Sequence, residues 1–108
     1  MKDYFIIIET TYPKLSDAKK LGKILLEKNL AACVEFSKVN SLYWWQEKIA
    51  NSNEFLVKIK SKNSHYKKIE AIILKNHSYE IPQIIATKIN QGLDSYLDWI
   101  ENNLKKTK

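Results

Sequence analysis

An α+β fold is what the sequence predicts: one four-stranded antiparallel sheet with two helices on one face and an additional helix at the C-terminal end. Three observations predict it. Strand-like and helix-like segments follow one another in the order strand, helix, strand, strand, helix, strand, helix, with no internal repeat and no linker. Only two glycines and two prolines interrupt 108 residues, and 44% of the residues are hydrophobic, the composition of a single globular domain spanning 1–108. The run Tyr43-Trp44-Trp45 has no helical period. On a strand it places rings on both faces of a sheet, which a small monomer cannot cover alone.

Each element follows from its residues. Tyr4 to Ile8 is an unbroken β-branched and aromatic run, the mark of a strand in mid-sheet. After Pro13, with Ser16 or Asp17 as the cap, Ala18, Leu21, Gly22 and Leu25 recur at helical spacing and predict a helix over 16–29. Ala31 to Gln46 reads as one long or bent strand with a polar break in its middle, and Glu54 to Lys60 as its antiparallel partner. The hairpin turns either near Gln46 to Lys48 or at Asn51 to Asn53, and the sequence does not separate the two registers. Tyr66, Ile69, Ile72 and Ile73 form the apolar stripe of a second helix behind Ser64, ending near Asn76. His77 to Pro82 is a structured loop, because the proline cannot sit inside a helix and restricts its predecessor to extended geometry. Ile84 to Ile89 supplies the fourth strand, closed by Gly92. Leu93, Tyr96, Leu97, Ile100 and Leu104 mark the last helix, followed by a lysine-rich tail expected to fray. This order matches the split βαβ arrangement of ferredoxin-like folds, whose open sheet face calls for a partner.

The formal charge of +6 invites a nucleic-acid partner, but all 18 basic residues are lysines, dispersed among acids. Without arginine the chain lacks the rigid fork that reads phosphate and guanine, so a solvated surface is the favoured reading of the charge. The lone Cys33 and the lack of a charged-then-apolar leader at Met1 predict a cytoplasmic protein, and no apolar stretch approaches the roughly 20 residues of a membrane helix.

Most chemistry is excluded by what is missing. Gly22 and Gly92 cannot build a phosphate-binding glycine loop, and Cys33, His65 and His77 lie in separate elements, which rules out a closed intrachain zinc site. Cys33 reads as a small hydrophobe of its strand, and His65 as surface or partly packed structure. His77 reads either as a loop histidine bonded to backbone or as a metal donor alongside Glu9, Glu54 or Glu80. No nucleophile is spaced to meet an activating base and no carboxylate pair stands out, so no enzyme is predicted.

Four segments together carry a resemblance: Ala31-Ala32-Cys33-Val34, Ser41 through Ile49, His77 through Ile84, and Gly92 through Ile100. They resemble the CutA family, the divalent-cation tolerance proteins, over nearly the whole chain and in the right order. The resemblance implies a ferredoxin-like fold similar to the PII signalling proteins and a tight homotrimer whose sheets meet edge to edge. It also implies a link to copper tolerance and divalent metal binding, with no agreed biochemical activity. The sequence departs from the family pattern at Ser78, where a proline is usual, at Gln83 for glutamate, and at Glu47 for glycine. It departs again at Glu9 or Thr10 and at Asn76, where some members have cysteine and histidine.

The expected function is therefore a non-enzymatic cytoplasmic homotrimer that holds metal ions or small ligands in clefts between subunits. The cleft residues are Tyr43, Trp45, Glu54, Lys60, His77, Tyr79 and Glu80. His77 and, secondarily, Glu9 are the metal donors, copper being an optional ligand rather than a required cofactor. The alternative is a PII-like sensor that holds a small anionic metabolite. Trp44 and Trp45 are expected to point one into the subunit and one toward a neighbour.

Overall fold

The computed structural model describes residues 3–104. The lysine-rich tail lies outside the described residues. The elements run β1 (Phe5–Tyr12), α1 (Leu15–Glu27), β2 (Cys33–Trp45), β3 (Lys48–Lys62), a 3-10 turn (Asn63–His65), α2 (Tyr66–Lys75), β4 (Ile85–Lys88) and α3 (Asp94–Asn102). The strands form one antiparallel sheet in the order β2-β3-β1-β4. That is the predicted α+β architecture.

Side-chain alternation divides the sheet cleanly. Ile6, Ile8 and Tyr12 of β1 and Val57 and Ile59 of β3 turn to one face, where Ala18, Leu21 and Leu25 of α1 and Ile69 and Ile73 of α2 close the main core. Gly22 is what lets α1 come so near, since a Cβ there would lie 3.0 Å from Phe36 and 3.2 Å from Val34. On the opposite face α3 covers only one corner, burying Ile100 and Leu104 with Ala32 against Phe5.

α1 begins at Leu15, earlier than the expected cap at Ser16 or Asp17. Lys14 occupies the N-cap with extended geometry and no side-chain cap bond, and Asp17 sits in the first turn, where its charge complements the free N–H groups. The helix ends on Asn29, whose φ of 55° is tolerated by asparagine, while the Leu30 and Ala31 N–H groups both donate to the Leu25 carbonyl.

The hairpin settles the register that the sequence left open. Trp45 pairs with Lys48, so Gln46 and Glu47 form a two-residue turn, with φ of 49° and 62°. Asn51 to Asn53 lie instead within β3, opposite Leu42 to Asn40, and the Asn40 amide donates to Asn51 Oδ1 at 2.6 Å and Asn53 Oδ1 at 2.9 Å. The expected polar break is no break, because these side chains bond across the ladder. β1 pairs with β3 only as far as Tyr12 opposite Phe55, so the outer part of the hairpin is a two-stranded ribbon.

Two expectations are corrected. Trp44 and Trp45 do point to opposite faces, but neither enters the subunit: they are 74% and 62% exposed, because the ribbon runs beyond the helices that would cover it. His65, expected as surface or partly packed structure, is packed more completely than either, at 2% exposure. It lies four residues before Ile69 and eight before Ile73, and so shares the inward stripe of α2.

Candidate functional site

The sheet thins from three strands to two at Tyr12 and Phe55, and there the loop after α2 folds back onto it. Asn76 ends α2 by donating its amide to the Ile72 carbonyl at 2.8 Å. The next residue reaches the sheet. β4 pairs with β1 only from Ile6 to Glu9, which leaves the Thr11 carbonyl on a free edge, and His77 Nε2 meets it at 2.7 Å. The ring stacks on Tyr12, centroids 4.2 Å apart. Its Nδ1 accepts the Tyr79 N–H at 3.0 Å, which assigns the neutral Nε2–H tautomer with Nε2 donating to Thr11. Burial lowers the His77 pKa below its ordinary 6.5, against the opposing effects of the Thr11 carbonyl and Glu54.

Tyr79 extends the cluster. Its hydroxyl donates to Glu54 Oε2 at 2.7 Å, and burial, together with that carboxylate and Tyr43, pushes its pKa up to about 12. Glu54 is only 8% exposed on β3, so the bond gives a buried carboxylate its partner. The Tyr43 hydroxyl bonds Ser52 one step further along the ribbon. Tyr12, buried beneath the His77 ring, also has its pKa raised to about 12, chiefly by burial and further by Asp17.

The structure thus brings His77, Tyr79 and Glu54 into contact, with Tyr43 beside them. Glu80 lies exposed in the same loop, and Trp45 stands exposed at the ribbon tip. Lys60 is elsewhere. Six residues along β3 from Glu54, it bonds the Tyr96 hydroxyl of α3 at 3.0 Å and Glu35 at 3.2 Å, and those contacts raise its pKa. Glu9 is half-buried on β1 opposite Lys58 and Ile85. Nothing in the sequence marks Thr11 and Tyr12 as members of the site. A backbone carbonyl leaves no mark in sequence, and Tyr12 reads as an ordinary strand residue.

These donors do not fit a metal centre within one chain. Both nitrogens of His77 are already engaged, and among the described residues no three His, Cys, Asp or Glu side chains gather in a way that would hold an ion. Nor is any described helix long and apolar enough to cross a membrane.

Residues 6–103 match a family model described as CutA1 divalent ion tolerance protein. A divalent-cation tolerance protein CutA of Archaeoglobus fulgidus is 37% identical over 98 residues, covering 91% of this chain and 96% of its own length. The solved structure of a periplasmic divalent cation tolerance protein CutA from the same organism superposes with a TM-score of 0.91 at 36% identity, over 94% of this chain and 99% of the other. CutA1 of the psychrotrophic Shewanella sp. SIB1, described as a stable protein, gives 0.92 at 36% identity, over 98% and 100% of the two chains.

Proposed function

The chain belongs to the CutA1 divalent ion tolerance protein family, and from that premise we propose that it acts as a non-enzymatic, cytoplasmic homotrimer whose clefts between subunits receive small ligands and divalent metal ions, copper among them. One observation carries the reading. The ribbon of β2 and β3 exposes Leu42, Trp44, Trp45 and Ile49, while a two-stranded ribbon alone is marginally stable in water. A neighbouring subunit laid on that ribbon would also close over its base, where His77, Tyr79, Glu54 and Tyr43 stand together.

The metal part of the proposal follows from the donor set. Imidazole suits copper and carboxylates accept divalent ions, but one chain brings too few donors together. An ion in the cleft must therefore draw on more than one subunit. His77 could serve only through Nδ1, by releasing the Tyr79 N–H. Glu80 and Glu9 are the carboxylates of the loop and of β1 available to complete such a set. The cytoplasmic placement rests on the lone, half-buried Cys33, a thiol without a partner for a disulfide within its own chain.

Sedimentation together with calorimetric copper titration tests both parts. The expected result is a trimer that binds copper more weakly after His77→Ala. A folded monomer would overturn the assembly, and equal, millimolar affinity in both proteins would remove the metal role.

A further inference from the structure

On the helix side of the sheet, between the start of α2 and the β4 edge, lies a hollow that takes no part in the His77 cluster. Its volume is about 310 Å³, and its walls are Tyr4, Ile6, Asn63, Tyr66, Ala86 and Lys88. The hollow exists for a sequence reason. Ala86 and Lys88 pair with Ile8 and Ile6, so they share the helix-facing side of the sheet, but the methyl of Ala86 fills little of the space there. α2 directs its buried residues, Ile69 and Ile73, to the main core, and all four residues of β4 stay exposed.

The walls combine two aromatic rings with one cation. Lys88 Nζ lies 4.7 Å from the centre of the Tyr4 ring, and among the described residues no carboxylate lies within 4.0 Å of it. The exposed Asn63 lines the hollow from the β3 flank of Tyr4, whose carbonyl accepts its backbone N–H at 2.8 Å. The Tyr66 hydroxyl donates to Glu70 at 2.8 Å. Asp3 is already occupied by the Ser64 N–H and hydroxyl, at 3.1 and 2.6 Å.

We propose that this hollow binds a small planar monocarboxylate, with its ring against the aromatic walls of Tyr4 and Tyr66 and its carboxylate at Lys88. The volume stands at the lower end of ligand pockets, which suits one ring rather than a dinucleotide. A cation is repelled by Lys88, and a bare phosphate leaves the aromatic walls unused. Aromatic faces and a cation at one end are together the recognition elements for an aromatic acid. The surplus of +6 adds a long-range attraction for anions.

Benzoate and its neutral isostere benzamide, titrated separately into the isotopically labelled protein, test the proposal by nuclear magnetic resonance. Benzoate is expected to shift Tyr4, Tyr66, Ala86 and Lys88 saturably, with benzamide about tenfold weaker. Lys88→Gln should erase that difference, Ala86→Leu should fill the hollow and abolish binding, and His77→Ala should leave binding intact. Equal binding of the two compounds, shifts centred elsewhere, no saturable shift, or the same shifts with inorganic phosphate would each overturn it. Because the readout involves neither copper nor the oligomeric state, it stands or falls separately from the trimer proposal.

Discussion

His77 donates from Nε2 to the carbonyl of Thr11 at 2.7 Å, two residues beyond the last β1 residue that β4 pairs with. The imidazole takes the place of the missing strand on an otherwise unpaired edge, and its other nitrogen fixes the loop through the Tyr79 N–H. One side chain thus holds the loop, and with it the Tyr79 bond to Glu54, against the sheet.

Replacing His77 with alanine leaves the Thr11 carbonyl unpaired and removes the stack on Tyr12. The expected cost is about 1–3 kcal/mol, read as a lower urea midpoint with an unchanged slope. His77→Gln, which can still donate to the carbonyl, should recover part of it. A His77→Ala midpoint equal to wild type would refute the positioning role.

Stability should also depend on pH through this ring. Its folded pKa lies below 6.5, so near that pH the unfolded chain binds more protons than the native one. The contribution is fully present above 6.5 and is lost as the pH falls from there through the folded pKa, because a proton on Nδ1 would face the Tyr79 N–H. Urea midpoints measured from about pH 8 to about pH 5 should fall more steeply for wild type than for His77→Gln. Parallel curves would contradict the assignment.

Trp44→Lys and Trp45→Lys should each leave the subunit fold intact, since both rings are exposed in it. What they should change is assembly: unchanged circular dichroism with a shift toward smaller species in sedimentation. Loss of secondary structure at low concentration in either variant would show that the ring packs within its own subunit.

Glu47→Gly should stabilise the hairpin. Glu47 has a φ of 62°, a conformation that a side chain disfavours and glycine adopts freely. The gain is about 0.5–1 kcal/mol, less than the full strain because glycine also loosens the unfolded chain. A thermal melt in which the variant unfolds earlier than wild type would argue against strain at this turn.

The order of elements was legible because it rests on period. Ile6, Ile8, Leu21, Leu25, Ile69 and Ile73 are spaced for strand or helix, and each is buried where that spacing puts it. The same spacing reaches back one turn to His65, four residues ahead of Ile69, which is buried on that stripe. Of the site, the His77 and Tyr79 loop is legible as chain held by Pro82, whereas the place of Lys60 is not: within the subunit it lies against α3.

By itself the sequence determined which segments are strands and helices, which side chains share a face, and, through its resemblance, the family. Only the tertiary structure decided the turn at Gln46 and Glu47, the exposure of both tryptophans, and the carbonyl that His77 meets. The physical reason is one of range. Periodicity is a local property that fixes the direction of a side chain. What waits in that direction depends on where other strands end, and a backbone carbonyl is the same group at every position.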